Sequence, residues 1–237
     1  TAVAGSIDLR TYASLFTSKD GVIYFSMPDL QVEKTWLLKE LHKAADKLEI
    51  CDKHAPPPPL DIVVPMARKM SGAAENECGV QELAVLAFWY LLLGVAQRYR
   101  ELPAVKLTIR FKLPSCVGLG SSGAFCVCIA TSLLLVAEVI SKPQIQTGGE
   151  HDGLLTWTES DLDVIKRWAA QAESLIHGRG SGLDAAICTY GGLASFRHGS
   201  KVLHIPNPPD LRVILINTKV ERNTSRMVSQ VKDRLKK

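Results

Sequence analysis

The residues best placed to do chemistry lie in one run, Leu113–Phe125, reading LPSCVGLGSSGAF. An alternating polar-apolar stretch leads into it, and a long apolar helical pattern leads out. Between them stand Gly118, Gly120, Ser121, Ser122 and Gly123. A strand, a glycine-rich turn and a helix start form an anion site, because backbone N–H groups converge there and the helix N-terminus adds partial positive charge. Gly118 and Gly120 let the backbone approach the anion or take positive φ. The anion is read as a nucleotide phosphate, although no Gly-Lys-Ser/Thr follows and the turn is not a Walker A loop. The plain alternative is a helix cap with no ligand.

Two carboxylates follow. On a helical wheel Leu162, Ile165, Ala169, Ala172 and Ile176 cluster, and Glu173 falls about 20° from Leu162, at the edge of that apolar stripe. A carboxylate there is costly unless it is paired or bound to a cation. Its partner is either an Arg or Lys or, beside a phosphate site, Mg²⁺, which is commonly held by one or two carboxylates plus substrate phosphates. Asp184 lies eleven residues on, past the second glycine-rich loop, His177–Leu183. It reads either as a helix-capping residue or as a carboxylate aimed at a substrate hydroxyl. Lys219 could reach such a site, with a surface lysine as the default. His177, His198 and His204 read as incidental.

A second chemistry competes. Gly120-Ser121-Ser122-Gly123-Ala124 is one residue short of G-x-S-x-G, and strand-turn-helix is also the setting of a hydrolase nucleophile. Ser122, Asp184 and His198 or His204 follow the Ser, Asp, His order. This reading ranks second, because it leaves Glu173 on the apolar stripe unexplained.

The elements that must position these groups follow from periodicity. Val105–Leu113 alternates without a miss and is the strongest strand signal. Ser6–Leu15 reads as a strand, Lys19-Asp20-Gly21 as a hairpin turn and Val22–Met27 as the return strand, ended by Pro28. Glu33–Ile50, Glu77–Arg100, Ser122–Ile140 and Thr158–Ile176 read as helices, the last with a Thr158…Asp161 capping box. Ser181 and Asp184 repeat the capping pattern, so a short helix is expected from Gly182. The HAPPPP run at 54–59 reads as a stiff surface insertion near 54–65. Lys142–Gly153 reads as a loop. Leu193–Phe196 and Lys201–Ile205 form a hairpin, Arg212–Asn217 a further strand, and Asn223 or Thr224 caps a last helix.

Composition narrows the class. With 237 residues, 46% hydrophobic and 22% charged, the chain can bury a sizeable core and is not disordered. A net charge of +4 is too mild to argue for nucleic acid, and the basic cluster Lys232, Arg234, Lys236 and Lys237 reads as a solvated helix face. The six cysteines have no zinc-ligand spacing and read as free thiols in a reducing compartment. The longest apolar run, Ala124–Ala137, has 14 residues and suits a buried helix better than a membrane span. The chain opens on Thr1 and closes inside a helical pattern, so the expectation is a fragment of a longer protein.

On these residues the chain resembles the GHMP small-molecule kinase family, in its mevalonate-phosphorylating branch. Pro114, Gly118, Leu119, Gly120, Ser121, Ser122 and Ala124 match a family motif similar to PxxxGLGSSxA. The run ELAVLAFWYLLL at 82–93 resembles the helix ahead of that motif, WAAQAESLIHGRGSGLDAAICTYGG at 168–192 its glutamate and aspartate region, and NTKVERNT at 217–224 its substrate-side segment. The resemblance implies an α/β fold of the ribosomal protein S5 domain 2-like type. Residues 1–205 would form the N-terminal ATP-binding domain, and 206–237 the start of a second.

It implies ATP bound by Cys116, Val117, Gly118, Leu119, Gly120, Ser121 and Ser122, with Asp29 where the family often has an Asn near the nucleotide. Ser122 and Glu173 would hold Mg²⁺. Asp184 would take the proton from the C5 hydroxyl of mevalonate, with Lys219 and Thr224 on the substrate side. Partners would be mevalonate and ATP, with no nucleic acid or membrane and room for a homodimer. The location would be cytoplasmic, with peroxisomal association open. Cys116 and Val117 replace the small residues usual in the loop, Phe111 a common Ser, and Glu221 a common Pro. The family's first motif, with its Lys and a His-Gly-Glu-His stretch, would precede Thr1, and its last glycine-rich motif would follow Lys237. A module that binds nucleotide or a partner without catalysis is therefore the alternative from another class.

Overall fold

The computed structural model describes residues 2–72, 79–112, 118–145, 155–178, 180–197, 199–206, 212–216, 230–231 and 233–234. The strands are β1 (Ala2–Gly5), β2 (Thr11–Ser18), β3 (Val22–Met27), β4 (Val32–Leu37), β5 (Ala104–Phe111), β6 (Gln144–Ile145), β7 (Leu155–Thr156), β8 (Leu193–Phe196) and β9 (Leu203–Ile205). The helices are α1 (Leu38–Ala45), α2 (Leu60–Ser71), α3 (Val80–Ala96), α4 (Ser121–Val136), α5 (Glu159–His177) and α6 (Leu183–Tyr190). A single 3-10 turn, Pro28–Leu30, links β3 to β4.

The main sheet has the order β2-β5-β3-β4. Its β5 fulfils the alternation: Val105, Leu107 and Ile109 are fully buried, while Lys106, Thr108 and Arg110 are not. α3 is apolar all round and buried from Ala84 to Ala96, and it contacts α1, α2, α4 and α5. Phe25 of β3 stacks on Phe88 of α3 at 4.4 Å, and Trp36 of β4 meets Trp89 edge-on at 5.1 Å. A second small sheet, β1-β8-β9, packs with α6 over Leu183, Ile187 and Ala194.

Several expectations are corrected. Ser6–Leu15 is not one strand. The exposed stretch at 6–10 carries the chain from the small sheet to the main one, and Ser6 is tied to Gly192, whose N–H donates to the Ser6 hydroxyl at 2.9 Å. β2 and β3 do not pair as a hairpin, although Gly21 makes its turn at φ +72°. β5 lies between them, antiparallel to β2 and parallel to β3. The turn residues act locally, whereas strand order is set by non-local pairing, and both central strands, β5 and β3, bury an apolar face.

Glu33–Ile50 is a strand before it is a helix. Val32–Leu37 pairs with β3, which puts Trp36 on the core and leaves Leu37 42% exposed. Residues 212–216 lie in no strand and are exposed. The cap expected at Asn223 or Thr224 lies outside the described residues. Four of the six cysteines, Cys51, Cys126, Cys128 and Cys188, are described, and all four are free.

The proline tract is fastened rather than loose, and the expected insertion runs into α2. Pro58 is buried. Its carbonyl accepts from the Tyr90 hydroxyl at 2.6 Å. Arg98 donates to the carbonyls of Ala55 and Pro56 and lies 4.6 Å over the Trp168 ring. α2 then packs along α3 despite Pro65 in its interior, a residue whose presence hid the helix in the sequence.

Tyr90 is the pin of this arrangement, fully buried with one good partner. Tyr90→Phe is expected to lower the unfolding free energy by about 1–2 kcal/mol, because it strands the Pro58 carbonyl. Urea titration checks this, and an unchanged midpoint would mean the tract is not held by this bond.

Candidate active site

Three helix ends meet where the sequence placed its chemistry. α4 starts after Gly118 and Gly120, at φ +79° and +72°, in the left-handed region that favours glycine. Its N-cap is Gly120, and no side chain caps the first turn. The serine hydroxyls therefore do not serve as the helix cap that is the plain alternative for this turn. The first-turn N–H groups have no intrahelical acceptor, and the serines do not supply one. α6 starts in the same way, at Gly182 with φ +70° and no side-chain cap. The Ser181 hydroxyl accepts instead from the Leu183 N–H at 3.2 Å, and Asp184 completes no capping box.

The two helix starts press together. A Cβ added at Gly123 would lie 2.9 Å from the Asp184 Cβ and 3.1 Å from its carbonyl carbon, and one at Gly120 would lie 3.9 Å from the Asp184 Cγ. Asp184 therefore sits against the turn that begins α4, with its residue exposed to solvent. Two positive helix ends beside one open face favour an anion there.

α5 supplies the third side. Its Thr158…Asp161 cap forms as expected, with the Asp161 N–H donating to the Thr158 hydroxyl at 3.1 Å. Near its other end Glu173 is 3% exposed. The Ser122 hydroxyl lies 3.5 Å from Glu173 Oε1, and the Ala185 N–H also donates to this carboxylate. Burial, and then the nearby Asp184 carboxylate, push the Glu173 carboxyl up to about 7; the Ala185 and Ser122 donors oppose the shift. Among the described residues no Lys, Arg or His forms an ion pair with it. The salt-bridge explanation for Glu173 is thereby excluded among those residues.

His177, read from the sequence as incidental, belongs to the site. It follows Glu173 by four residues on α5, and its Nε2 lies 2.9 Å from the Ser122 Oγ. Burial holds its pKa below the ordinary histidine value, with the Asp184 charge opposing. The i, i+4 spacing from Glu173 was the available signal. This contact also bears on the hydrolase reading. His198 lies outside the described residues, and His204 packs against the Tyr190 ring at 5.0 Å. Ser122 does meet a histidine, but among the described residues no carboxylate is hydrogen-bonded to the His177 ring to orient it. Among the described residues the triad therefore has no third member.

Asp29 stands apart from this cluster. Its Oδ2 accepts from the Phe111 N–H at 2.9 Å, and its Oδ1 lies 3.5 Å from an Arg110 guanidinium nitrogen. It thus holds the end of β5, the strand that feeds the glycine turn. An open cleft of about 410 Å³ lies beside the 3-10 turn, lined by Gln31, Glu33, Lys34, Gly72 and Gln81 among others. None of Ser122, Glu173 and Asp184 lines it. Leu119 and Ser121 are half-buried in the turn. Cys116, Val117, Lys219 and Thr224 lie outside the described residues.

The oxygen donors suit a hard cation. Ser122, Glu173 and Asp184 offer a hydroxyl and two carboxylates, the chemistry magnesium prefers. Among the described residues no group of three or more His, Cys, Asp and Glu could hold a metal. Two protein oxygens completed by phosphate oxygens match the way magnesium is usually bound. No helix among the described residues is long and apolar enough to cross a membrane.

No family model matches the chain. The chain is 36% identical over 237 residues to a mevalonate kinase from Homo sapiens, and 35% identical over 243 residues to one from Bos taurus. Both matches cover 100% of this chain and 58% of the relative, so the chain spans well under two thirds of the length of these relatives. Among solved structures, the Methanococcus jannaschii mevalonate kinase superposes with a TM-score of 0.51 at 17% identity, over 86% of this chain and 49% of that one. The mixed α/β fold expected from the sequence is thus shown, and the likeness to mevalonate kinases runs the whole length of the chain.

The state of Glu173 gives a pH-dependent prediction. Its carboxyl titrates near 7 in the fold against an ordinary value of 4.5, so the folded state binds the extra proton between these values. The destabilising effect is absent below about pH 4.5, grows as pH rises and is complete above about pH 7. Glu173→Gln is expected to stabilise the metal-free protein by roughly 3 kcal/mol at pH 8 and hardly at all at pH 4.5. Denaturation across that range checks it, and a gain that does not change with pH would contradict the account.

Proposed function

We propose that this protein transfers the γ-phosphoryl group of ATP to the C5 hydroxyl of mevalonate, with Mg²⁺, in the supply of isoprenoids and sterols. One observation carries the reading: the α4 and α6 starts converge on Ser122, Glu173 and Asp184. The likeness to mevalonate kinases over the whole chain supports the choice of substrate. In this reading the protein is a cytoplasmic enzyme. Residues 1–205 form its ATP-binding domain, and 206–237 begin a second.

Phosphoryl transfer asks the protein mainly for positioning and charge stabilisation. The backbone N–H groups of the turn from Cys116 to Ser122 would cradle the phosphates, and the open first turn of α4 would add its dipole. Asp29 would keep the end of β5, and hence that turn, in place. Ser122 and Glu173 would hold Mg²⁺, which neutralises charge on the phosphates when bound.

The two carboxylates divide the work by exposure. Glu173 is buried, out of reach of an entering alcohol, and suits a ligand. Asp184 is exposed at the first turn of α6 and suits a base. It would accept the proton of the C5 hydroxyl as that oxygen bonds to the γ-phosphorus and the bond to the ADP oxygen breaks. Lys219 and Thr224 are proposed on the substrate side.

Asp184→Asn separates this reading from a binding-only module. The variant is expected to keep nucleotide affinity within about threefold while turnover falls by at least 10²–10⁴-fold, the usual contribution of a general base. Coupled ADP release with mevalonate, beside equilibrium nucleotide binding, checks both. Turnover retained in the variant would remove Asp184 from the chemistry. A wild-type protein that binds nucleotide but never phosphorylates would favour the module.

A further inference from the structure

His177 has no role in the chemistry above, yet it makes the shortest contact to Ser122. A serine hydroxyl has one proton to donate and two lone pairs. Around Ser122 Oγ stand His177 Nε2 at 2.9 Å and Glu173 Oε1 at 3.5 Å. The first is a full hydrogen bond, and the second is at the outer edge of one. Even a half-buried serine can turn among three staggered rotamers, and a 3.5 Å contact alone is a weak restraint on that rotation.

We propose that His177 is a positioning residue that, once a cation occupies the site, takes the Ser122 hydroxyl proton in a hydrogen bond in place of Glu173, leaving the oxygen lone pairs free for the cation at the open start of α4. This rests on the reading of Ser122 as a magnesium ligand. A hydroxyl that offers its oxygen to a cation must send its proton to another acceptor. A carboxylate that is itself a ligand is poorly free to take it. Among the described residues the His177 Nε2 lone pair is the other acceptor within reach, with the ring proton then on Nδ1.

The backbone explains why His177 can do this. It is the last residue of α5, and Gly178 at φ +90° ends the helix directly after it. Glu173 lies one turn back on the same face. A single rigid helix therefore presents both partners of Ser122, and their relative placement does not depend on a loop. Groups that orient a metal's protein ligands typically matter 10–100-fold for metal affinity.

The test uses the intact chain, a fluorescent ATP analogue and Mg²⁺ titration at equilibrium, with no turnover required. His177→Ala is expected to raise the Mg²⁺ concentration for half-maximal stimulation of nucleotide binding by at least about tenfold. Metal-free nucleotide binding and the melting temperature should be unchanged. His177→Gln, whose amide oxygen can accept the same proton, is expected to recover most of the loss.

The inference is overturned if His177→Ala shows the wild-type Mg²⁺ dependence while Ser122→Ala has lost it. It is also overturned if His177→Ala weakens metal-free binding equally and Gln does not rescue, which would mark a structural role. If the wild-type protein shows no Mg²⁺-dependent nucleotide binding, the reading of Ser122 and Glu173 as ligands fails first, and this inference fails with it.

Discussion

A Cβ at residue 123 would stand 2.9 Å from the Asp184 Cβ, closer than side-chain carbons tolerate. That contact sets the distance between the starts of α4 and α6, and much of the site follows from it. With glycine at 123 the two helices approach until Asp184 overhangs the turn that opens α4. A glycine in the first turn of α4 costs at most about 1 kcal/mol in propensity, the value for a helix interior. It is small beside the 1–3 kcal/mol that overpacking at this contact would cost. The rest of the architecture serves this approach. β5 delivers the chain to the turn, Asp29 anchors the end of β5, and α3 gives α4 and α5 a common apolar floor.

Glu173 is the second constraint. A carboxylate 3% exposed, near another carboxylate and without a cation partner among the described residues, works against the fold at neutral pH. A hydrophobic residue at that position would pack without this penalty. The arrangement makes physical sense when a cation sits beside it, because the same unmet charge that destabilises the empty protein stabilises the loaded one. Ser122 and His177 then read as one device with Glu173, carried on two helix ends that face each other.

Much of this was legible in the sequence, and the failures have physical causes. The strict alternation read in 105–113 and the apolar run of α3 identified themselves, because one or both faces of the elements they form are buried. Glu173 was found because it breaks an apolar stripe. Local signals misled where pairing is non-local: Lys19-Asp20-Gly21 turns the chain, but β5 enters between the two strands. Helical spacing in 33–50 concealed β4, whose Trp36 answers to the α3 aromatics rather than to its own neighbours. Pro65 disguised α2. His177 was missed because a histidine at a helix end has many uses, and only the tertiary contact with Ser122 distinguishes them.

The central claim is that Ser122, Glu173 and Asp184 surround one phosphate and metal site. A crystal structure of the protein with Mg²⁺, a non-hydrolysable ATP analogue and mevalonate tests it most directly. The account predicts the cation about 2.0–2.1 Å from the Ser122 hydroxyl and a Glu173 oxygen, sharing a phosphate oxygen. It also predicts the Asp184 carboxylate within hydrogen-bond reach, about 2.6–3.2 Å, of the C5 hydroxyl. A nucleotide whose phosphates lie away from the start of α4, or a cation held without Glu173, would contradict it.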